Sequence, residues 1–172
     1  MAFEPFEIHD EDQFANFLEI EQFELADHTL ILVFRLLTSD VGDTPWDAVL
    51  KNVRRFLRYI KRTQRDYHFV FDTHRCPMMP LMRLHQFQQL TATKPDVLDA
   101  CLRSNIVIVQ NRAVDVLIRT ALAAMPPRRP TDIIQCETCS GVHEHGLPES
   151  VWGEAQAFLD KYARHTATGG AA

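Results

Sequence analysis

Long apolar runs and abundant glycine are both missing from this sequence of 172 residues. No apolar run approaches the roughly 20 residues that a membrane-spanning helix needs, and no basic segment leads into a short apolar one near the first residue. Six glycines and nine prolines are too few for a low-complexity chain. We therefore expect a globular, cytoplasmic protein with one core, because this length suits one domain and is short for two.

Cysteine is also sparse, with four residues at Cys76, Cys101, Cys136 and Cys139. In a chain without a secretory signal, four thiols predict reduced cysteines, buried or metal-binding, rather than a disulfide framework. The signatures of several enzyme classes are absent as well: a glycine-rich phosphate loop, a metalloprotease helix motif and Gly-x-Ser-x-Gly. The sequence therefore predicts a protein that is not an enzyme.

Positive charge is absent from residues 1–27, which carry nine acids and a net charge of −9. Residues 44–65 show the reverse pattern, with seven basic residues against one acid and a net charge of +6. These basic residues are Lys51, Arg54, Arg55, Arg58, Lys61, Arg62 and Arg65. Most recur at helical spacing, so they predict one basic face on one helix.

Three interpretations of this basic face are open. It receives anionic lipid head groups at a membrane or an acidic protein surface, since clustered cations near a membrane contribute about 1 kcal/mol each. Alternatively it is a solvated helix face, or the acidic residues of the N-terminal segment lie over it. Nucleic acid is disfavoured as a partner by the net charge of −5 and by the lack of interleaved basic and aromatic residues elsewhere. No pattern predicts an oligomeric state.

Buried strands and amphipathic helices alternate along the rest of the chain. Apolar runs predict strands over 29–37, 67–72, 105–109 and 131–135, and helical periodicity predicts helices over 44–62, 81–90, 95–101, 114–125 and 148–162. Thr44 is the predicted N-cap of the first helix, because Pro45 and Asp47 follow it. Since parallel strands need crossover helices, this order predicts the α/β class, with a mainly parallel sheet of about four to five strands.

The predicted domain spans residues 28–163, between an acidic N-terminal segment over 1–27 and a flexible tail over 164–172. Within the acidic segment, residues 3–8 suit a short edge strand. Asp10 suits the N-cap of a helix that carries Phe14, Phe17 and Leu18 near helical spacing.

Several segments carry a family resemblance in their order. They are Leu30-Ile-Leu-Val-Phe-Arg35, the helix over 46–61, Phe69-Val-Phe-Asp72, Lys94-Pro-Asp-Val-Leu98, Ile106-Val-Ile-Val-Gln-Asn111 and His145-Gly-Leu-Pro-Glu-Ser-Val-Trp-Gly153. From residue 30 to about residue 154 the chain resembles the CRAL-TRIO lipid-binding domain, most closely its divergent branch. The STAS domain shares the same general fold and is the nearest competitor.

This resemblance implies a hydrophobic pocket between the sheet and the helix after Asn111, with that helix acting as a gate. The implied ligand-binding residues are Phe69, Phe71, Val114, Leu117, Ile118, Leu122 and Met125. The protein is then a non-enzymatic module for a lipid or other small hydrophobic ligand, presented to a membrane by the basic helix. The alternative is a protein-interaction or scaffold domain of the same fold, in which the apolar stripe only fills the core.

A second motif contains four potential zinc ligands, Cys136, Cys139, His143 and His145. Thiolate and imidazole both suit zinc, although structural sites usually take two ligand pairs separated by a longer loop. The alternative is a strand end followed by a loop with two reduced thiols. No other cofactor is predicted.

A third motif lies at the end of the predicted central strand, where Asp72, His74 and Cys76 offer an acid, a base and a nucleophile. Parallel sheets bind ligands beyond the carboxyl ends of their strands, which places this turn at a favourable position. Catalytic triads usually assemble from distant segments, however, so the sequence favours a structural turn held by the Asp72 carboxylate.

Overall fold

A computed structural model describes residues 5–76, 81–124, 126–136 and 141–163. They form a single α/β domain with a five-stranded sheet, which confirms the predicted fold class. The strands are β1 (Leu18–Glu24), β2 (Leu30–Leu36), β3 (Tyr67–Asp72), β4 (Leu102–Val109) and β5 (Thr131–Gln135). The helices are α1 (Asp43–Thr63), α2 (Leu81–Ala92), α3 (Pro95–Cys101), α4 (Arg112–Ala124) and α5 (Glu149–Tyr162).

The strands lie in sequence order, β1-β2-β3-β4-β5. β1 pairs antiparallel with β2, and all later neighbours pair in parallel. Each crossover moves one place in the same direction with the same hand, so α1, α2, α3 and α4 pack on one face of the sheet. α5 packs on the opposite face. None of the helices within the described residues is both long and apolar enough to cross a bilayer.

The N-terminal segment differs from its prediction. Residues 11–13 form one 3₁₀ turn, and the expected helix is replaced by β1, in which Leu18 lies opposite Leu36. Leu18 and Ile20 are buried, Glu19 between them is half-buried, and the later residues of β1 are half-buried or exposed, so the buried positions follow the period of two that a strand requires. The described part of the predicted edge strand, residues 5–8, has no regular secondary structure.

Helix α1 begins at Asp43, with Gly42 rather than Thr44 at the N-cap. The apolar residues at helical spacing in α1 are buried, and Phe56, Tyr59 and Asn52 are buried beside them. These spaced residues are Trp46, Val49, Leu50, Val53, Leu57 and Ile60. The buried surface is therefore wider than one narrow stripe, because α1 packs on the sheet and also under residues 5–10.

Aromatic side chains dominate the core under the four-helix face. Phe87 of α2 lies with its ring centroid 5.3 Å from Phe34, 5.3 Å from Phe69 and 5.0 Å from Phe71, in edge-to-face geometry. Such contacts contribute about 0.5–1.5 kcal/mol each beyond area burial. Phe87 and Thr91 are the buried residues of α2, so this cluster is its main anchor.

Aliphatic and β-branched side chains fill the other face. Ile31, Val70 and Ile106 pack against Ala155 and Leu159 of α5, and all five are at most 1% exposed. The sheet therefore carries two cores of different composition on its two faces.

Candidate functional site

A cavity of about 350 Å³ lies on the four-helix face, between the sheet, α2, α4 and the chain leading into β5. Phe69 and Phe71 form part of its floor, while Phe87 and Ile118 contribute to its walls. This volume falls at the lower end of the range of about 300–1,000 Å³ that is typical of small-molecule sites. The cavity is the principal candidate for a binding site.

The structure brings together four of the seven residues that the family resemblance implied for the ligand. Phe69, Phe71, Ile118 and Leu122 line the cavity. Val114 is buried in the core beside it without lining it. Leu117 is 39% exposed, since it lies one residue before the inward position of α4. Met125 lies outside the described residues.

Sequence reasoning missed the contribution of α2, which supplies Leu84, Gln88 and Thr91 to the cavity. It also missed Arg128 and Arg129, which lie at the cavity rim. The sequence does contain one indication of them: Arg128 and Arg129 directly follow two prolines, and a rigid turn of this kind holds the side chains after it in fixed positions. Their position beside an apolar cavity depends on the path of the chain into β5.

Polar groups at the rim are held in a defined arrangement. Arg128 Nη1 lies 3.2 Å from Asp99 Oδ2, and Arg129 Nε donates to the carbonyl oxygen of Leu98 at 3.2 Å. Arg129 Nη2 also donates to the carbonyl oxygen of Asp99. On the sheet side, Asn105 Nδ2 donates to Thr131 Oγ1 at 3.2 Å. The site is therefore apolar inside with a polar, basic rim.

The basic face of α1 points away from the sheet. Its exposed members are Lys51, Arg54, Arg58, Lys61 and Arg62, and Arg55 is half-exposed. Lys61 pairs with Asp96 at 3.1 Å. Within the described residues, Arg54, Arg55, Arg58 and Arg62 form no ion pair. We call these four residues the arginine quartet.

Arg65 does not belong to this exposed face, contrary to the prediction. Its side chain is buried and lies 3.0 Å from Glu24 Oε2, and it also donates to the carbonyl oxygen of His28 at 2.7 Å. Burial lowers the pKa of Arg65, but the hydrogen bonds of its guanidinium with Glu24 and Tyr59, together with the charges of these two groups, outweigh this effect and raise it. Arg65 thus fastens the β1–β2 hairpin to the end of α1.

Residues 5–10 lie along α1 beside the arginine quartet. The ring of Phe6 lies 5.2 Å from that of Phe56, and the backbone of His9 exchanges two hydrogen bonds with Asn52, at 2.8 and 2.7 Å. Arg55 and Arg58 line two open grooves on this surface, together with Glu7 in one groove and Asp10 in the other. The acidic segment therefore contacts the helix through apolar and backbone groups, and no carboxylate among the described residues forms an ion pair with the quartet.

The turn after β3 is structural in its geometry. Asp72 is fully buried, its Oδ2 lies 3.3 Å from Arg35 Nε, and its Oδ1 lies 2.5 Å from His74 Nδ1. Arg35 also pairs with Glu19 at 2.7 Å and Glu21 at 3.0 Å. Burial lowers the pKa of Arg35, but these carboxylates together raise it. The network ties β1, β2 and β3 together.

The zinc prediction changes in the structure. Cys136 is disulfide-bonded, which corrects the expectation of a reduced thiol, and Cys139 lies outside the described residues. A disulfide sulfur is not the thiolate that binds zinc. His143 and His145 do come together: with Glu144, each offers one donor atom within 4.8 Å of the others. Three donors are fewer than the four of a structural zinc site.

The imidazole rings of His143 and His145 both pack against an aromatic side chain of α5. Trp152 stacks on the ring of His143 with centroids 4.2 Å apart and meets the ring of His145 at 4.7 Å. The Nδ1 atom of His143 also accepts the backbone N–H of His145 at 3.3 Å. The loop is thus held against α5 by its own contacts.

The described residues therefore offer three sites of functional interest: the cavity, the arginine quartet and the loop that contains His143 and His145. No protein-family model, curated protein or solved structure matches the chain.

Proposed function

We propose that the protein is a non-enzymatic module that binds a lipid or other small hydrophobic molecule in the cavity between β3, α2 and α4. The cavity itself carries this proposal, because its lining is mainly apolar with a few polar groups, as is typical of small-molecule sites. A volume of about 350 Å³ exceeds the room of one water, about 30 Å³, by an order of magnitude. The resemblance to CRAL-TRIO domains supports the same function.

The cavity walls are suited to ligand access. α2 and α4 each bury two residues, Phe87 and Thr91 in the first and Val114 and Ile118 in the second. α1, in contrast, buries ten. Segments with few buried contacts open at lower free-energy cost than the rest of a domain. The gate expected at α4 therefore extends to α2, and a ligand passes between these two helices.

Filling the cavity tests the proposal. 2-Naphthol, a neutral fluorescent probe of about a dozen non-hydrogen atoms, should bind the wild-type protein saturably, and Leu122→Trp should weaken binding at least about tenfold by occupying the space. Leu117→Trp is the matched control, because it adds the same ring to the same helix at a position that does not line the cavity. Native mass spectrometry and organic extraction of the purified protein should detect a bound ligand. Equal probe binding by both variants would contradict the proposal.

We further propose that the arginine quartet brings the module to an anionic membrane surface. Its four guanidiniums form no ion pair among the described residues, although Glu7 and Asp10 line the same grooves, and each cation near an anionic surface contributes about 1 kcal/mol. Sedimentation with phosphatidylserine vesicles should therefore exceed that with phosphatidylcholine vesicles. Replacing Arg54, Arg55 and Arg58 by glutamate should abolish the difference. Replacing the exposed Arg75, Arg112 and Arg119 in the same way is the charge-matched control.

The second candidate function is protein interaction without a ligand, with the same quartet meeting an acidic protein surface. It is favoured by the arginine side chains themselves, whose planar forks match carboxylates in two parallel hydrogen bonds. This alternative predicts that the glutamate variant loses a specific protein from pull-downs while its probe binding stays intact. Unchanged pull-down partners would argue against it.

A further inference from the structure

The size of the cavity limits the ligand. A volume of about 350 Å³ holds about a dozen non-hydrogen atoms, if each takes about the 30 Å³ that a water molecule has in the liquid. One unbranched chain of about ten carbons with a small head group reaches this number. The cavity is open on one side, and a lipid with two acyl chains would place most of its atoms outside the space of about 350 Å³.

The charges at the rim limit the head group. The ionisable side chains that line the cavity are His85, Arg128 and Arg129, and no Asp or Glu among the described residues lines it. The acid paired with this rim is Asp99, 3.2 Å from Arg128 and 3.9 Å from Arg129. Two guanidiniums against one carboxylate leave one positive charge uncompensated at the edge of an apolar space.

Donor groups are available to a ligand at the same place. A guanidinium has five N–H groups, and Arg128 uses Nη1 for the Asp99 carboxylate. Arg129 uses Nε and Nη2 for backbone carbonyl oxygens. Within the described residues no hydrogen bond uses Arg128 Nε, Arg128 Nη2 or Arg129 Nη1. An arginine with remaining donors beside an existing ion pair suits a carboxylate, which accepts two hydrogen bonds from one fork.

We infer that the ligand is a single-chain amphiphile with one negative charge, of the size of a medium-chain fatty acid. Its alkyl chain lies against Phe69, Ile118 and Leu122, and its carboxylate lies at Arg128 and Arg129. This inference rests on the proposed function, because it names the class of molecule that the same cavity takes. It differs from a general lipid site, which would take neutral, cationic and two-chain lipids as well.

A matched series of ten-carbon ligands tests the head group separately from the cavity. Isothermal titration calorimetry with the full chain should show that decanoate binds about fivefold more tightly than decanol, as expected for one half-exposed ion pair. Decylamine, which is cationic at neutral pH, should bind more weakly than decanol. If decanol binds as tightly as decanoate, the inference is overturned while the proposed function stands. If none of the three binds, both fail.

Two variants locate the head group. Arg128→Gln should remove the preference for decanoate over decanol, whereas Arg119→Gln should preserve it. Arg119 is a suitable control, because it is also an exposed arginine with one acidic partner, Asp115, at 2.7 Å. Asp99→Asn should increase the preference, since it removes the competing carboxylate. A preference that survives Arg128→Gln and does not rise in Asp99→Asn, or recovery of a two-chain phospholipid from the purified protein, would refute the inference.

Discussion

The two faces of the sheet are packed with different kinds of side chains. The four-helix face uses large aromatic rings, such as Phe34, Phe69 and Phe87, and leaves a cavity beside them. The α5 face uses aliphatic side chains, such as Val70 and Ile106, and places polar groups around them: Arg35 with Asp72, and His68 with Ser104. Paired buried polar side chains therefore lie on the α5 face, and the apolar cavity lies on the four-helix face.

Because of this difference, we expect substitutions on the α5 face to affect mainly stability and substitutions around the cavity to affect mainly binding. A buried ion pair becomes costly when one partner is lost, so the α5 face is sensitive to single substitutions. A cavity wall tolerates changes of volume, because its atoms already lack neighbours on one side. Ligand binding is thus expected where packing is least complete, and the strongest effects on folding where it is most specific.

The largest effect is expected from Arg35→Met. The change leaves the fully buried carboxylate of Asp72 without its cation, and such uncompensated charges cost about 3–5 kcal/mol. Urea denaturation measures this loss in the free energy of unfolding. Arg119→Met, which breaks an exposed pair with Asp115, should cost at most about 0.5 kcal/mol. A loss below about 1 kcal/mol for Arg35→Met would show that the network is not a main support of this face.

The next effect depends on pH. Burial lowers the pKa of His68 from 6.5 to about 4, and its Nδ1 lies 2.7 Å from Ser104 Oγ. Above pH 6.5 the ring is neutral in both the folded and unfolded states. Between pH 6.5 and about 4 the unfolded state binds the proton more readily, so stability falls by about 3 kcal/mol and then levels off.

His68→Asn serves to isolate this contribution. Other groups titrate in both proteins, so the informative quantity is the difference in unfolding free energy between wild type and variant. This difference should narrow as the pH falls from 6.5 towards 4, because the variant lacks the titrating ring. A difference that stays constant over this range would contradict the burial of a neutral imidazole in this core.

A smaller effect compares the two faces directly with the same chemical change. Val70 faces α5 and Val107 lines the cavity, on neighbouring strands. Val70→Ile should destabilise the protein by about 1–3 kcal/mol, since it overpacks a filled core. Val107→Ile should be neutral or stabilise by up to about 1 kcal/mol, because a methylene enters existing space. Equal costs in urea denaturation would show that the two faces are packed alike.

The smallest effect concerns the outer surface of the four-helix face. Arg54, Arg58 and Arg62 follow one another at intervals of four residues, and each such like-charge contact costs about 0.2–0.5 kcal/mol. Arg58→Gln should therefore raise the melting temperature slightly in low salt, and the gain should fade in high salt. Lys61→Gln should shift it in the opposite direction, because it breaks the pair with Asp96. A lower melting temperature for Arg58→Gln would indicate an unrecognised stabilising role.

Much of the fold was predictable, because its strands are continuous apolar runs and its helices carry apolar stripes. β1 was the exception. Phe14, Phe17 and Leu18 suit helical spacing, and Glu19 and Glu21 suggest an exposed segment. In the structure those two acids are the partners of Arg35, whose side chain is 7% exposed. The strand therefore depends on a charge from β2 that local sequence patterns do not reveal.

The candidate site divides in the same way. Of the seven residues that the family resemblance implied, Phe69, Phe71, Ile118 and Leu122 line the cavity, whereas Val114 and Leu117 do not and Met125 lies outside the described residues. Neither α2 nor Arg128 and Arg129 were expected at the cavity, and Arg65 was expected on the surface. Each of these positions depends on the distance between elements that are far apart in the chain.

Local periodicity and charge in the amino-acid sequence were enough to predict the order of elements, the parallel sheet and the concentration of arginine on α1. Which face of the sheet is filled and which keeps a cavity follows only from how the helices pack on the sheet. Tertiary structure also decided which arginines pair with acids and which remain at the rim. The physical reason is that periodicity specifies which side chains turn inward, whereas the space left between them depends on how helices and sheet meet.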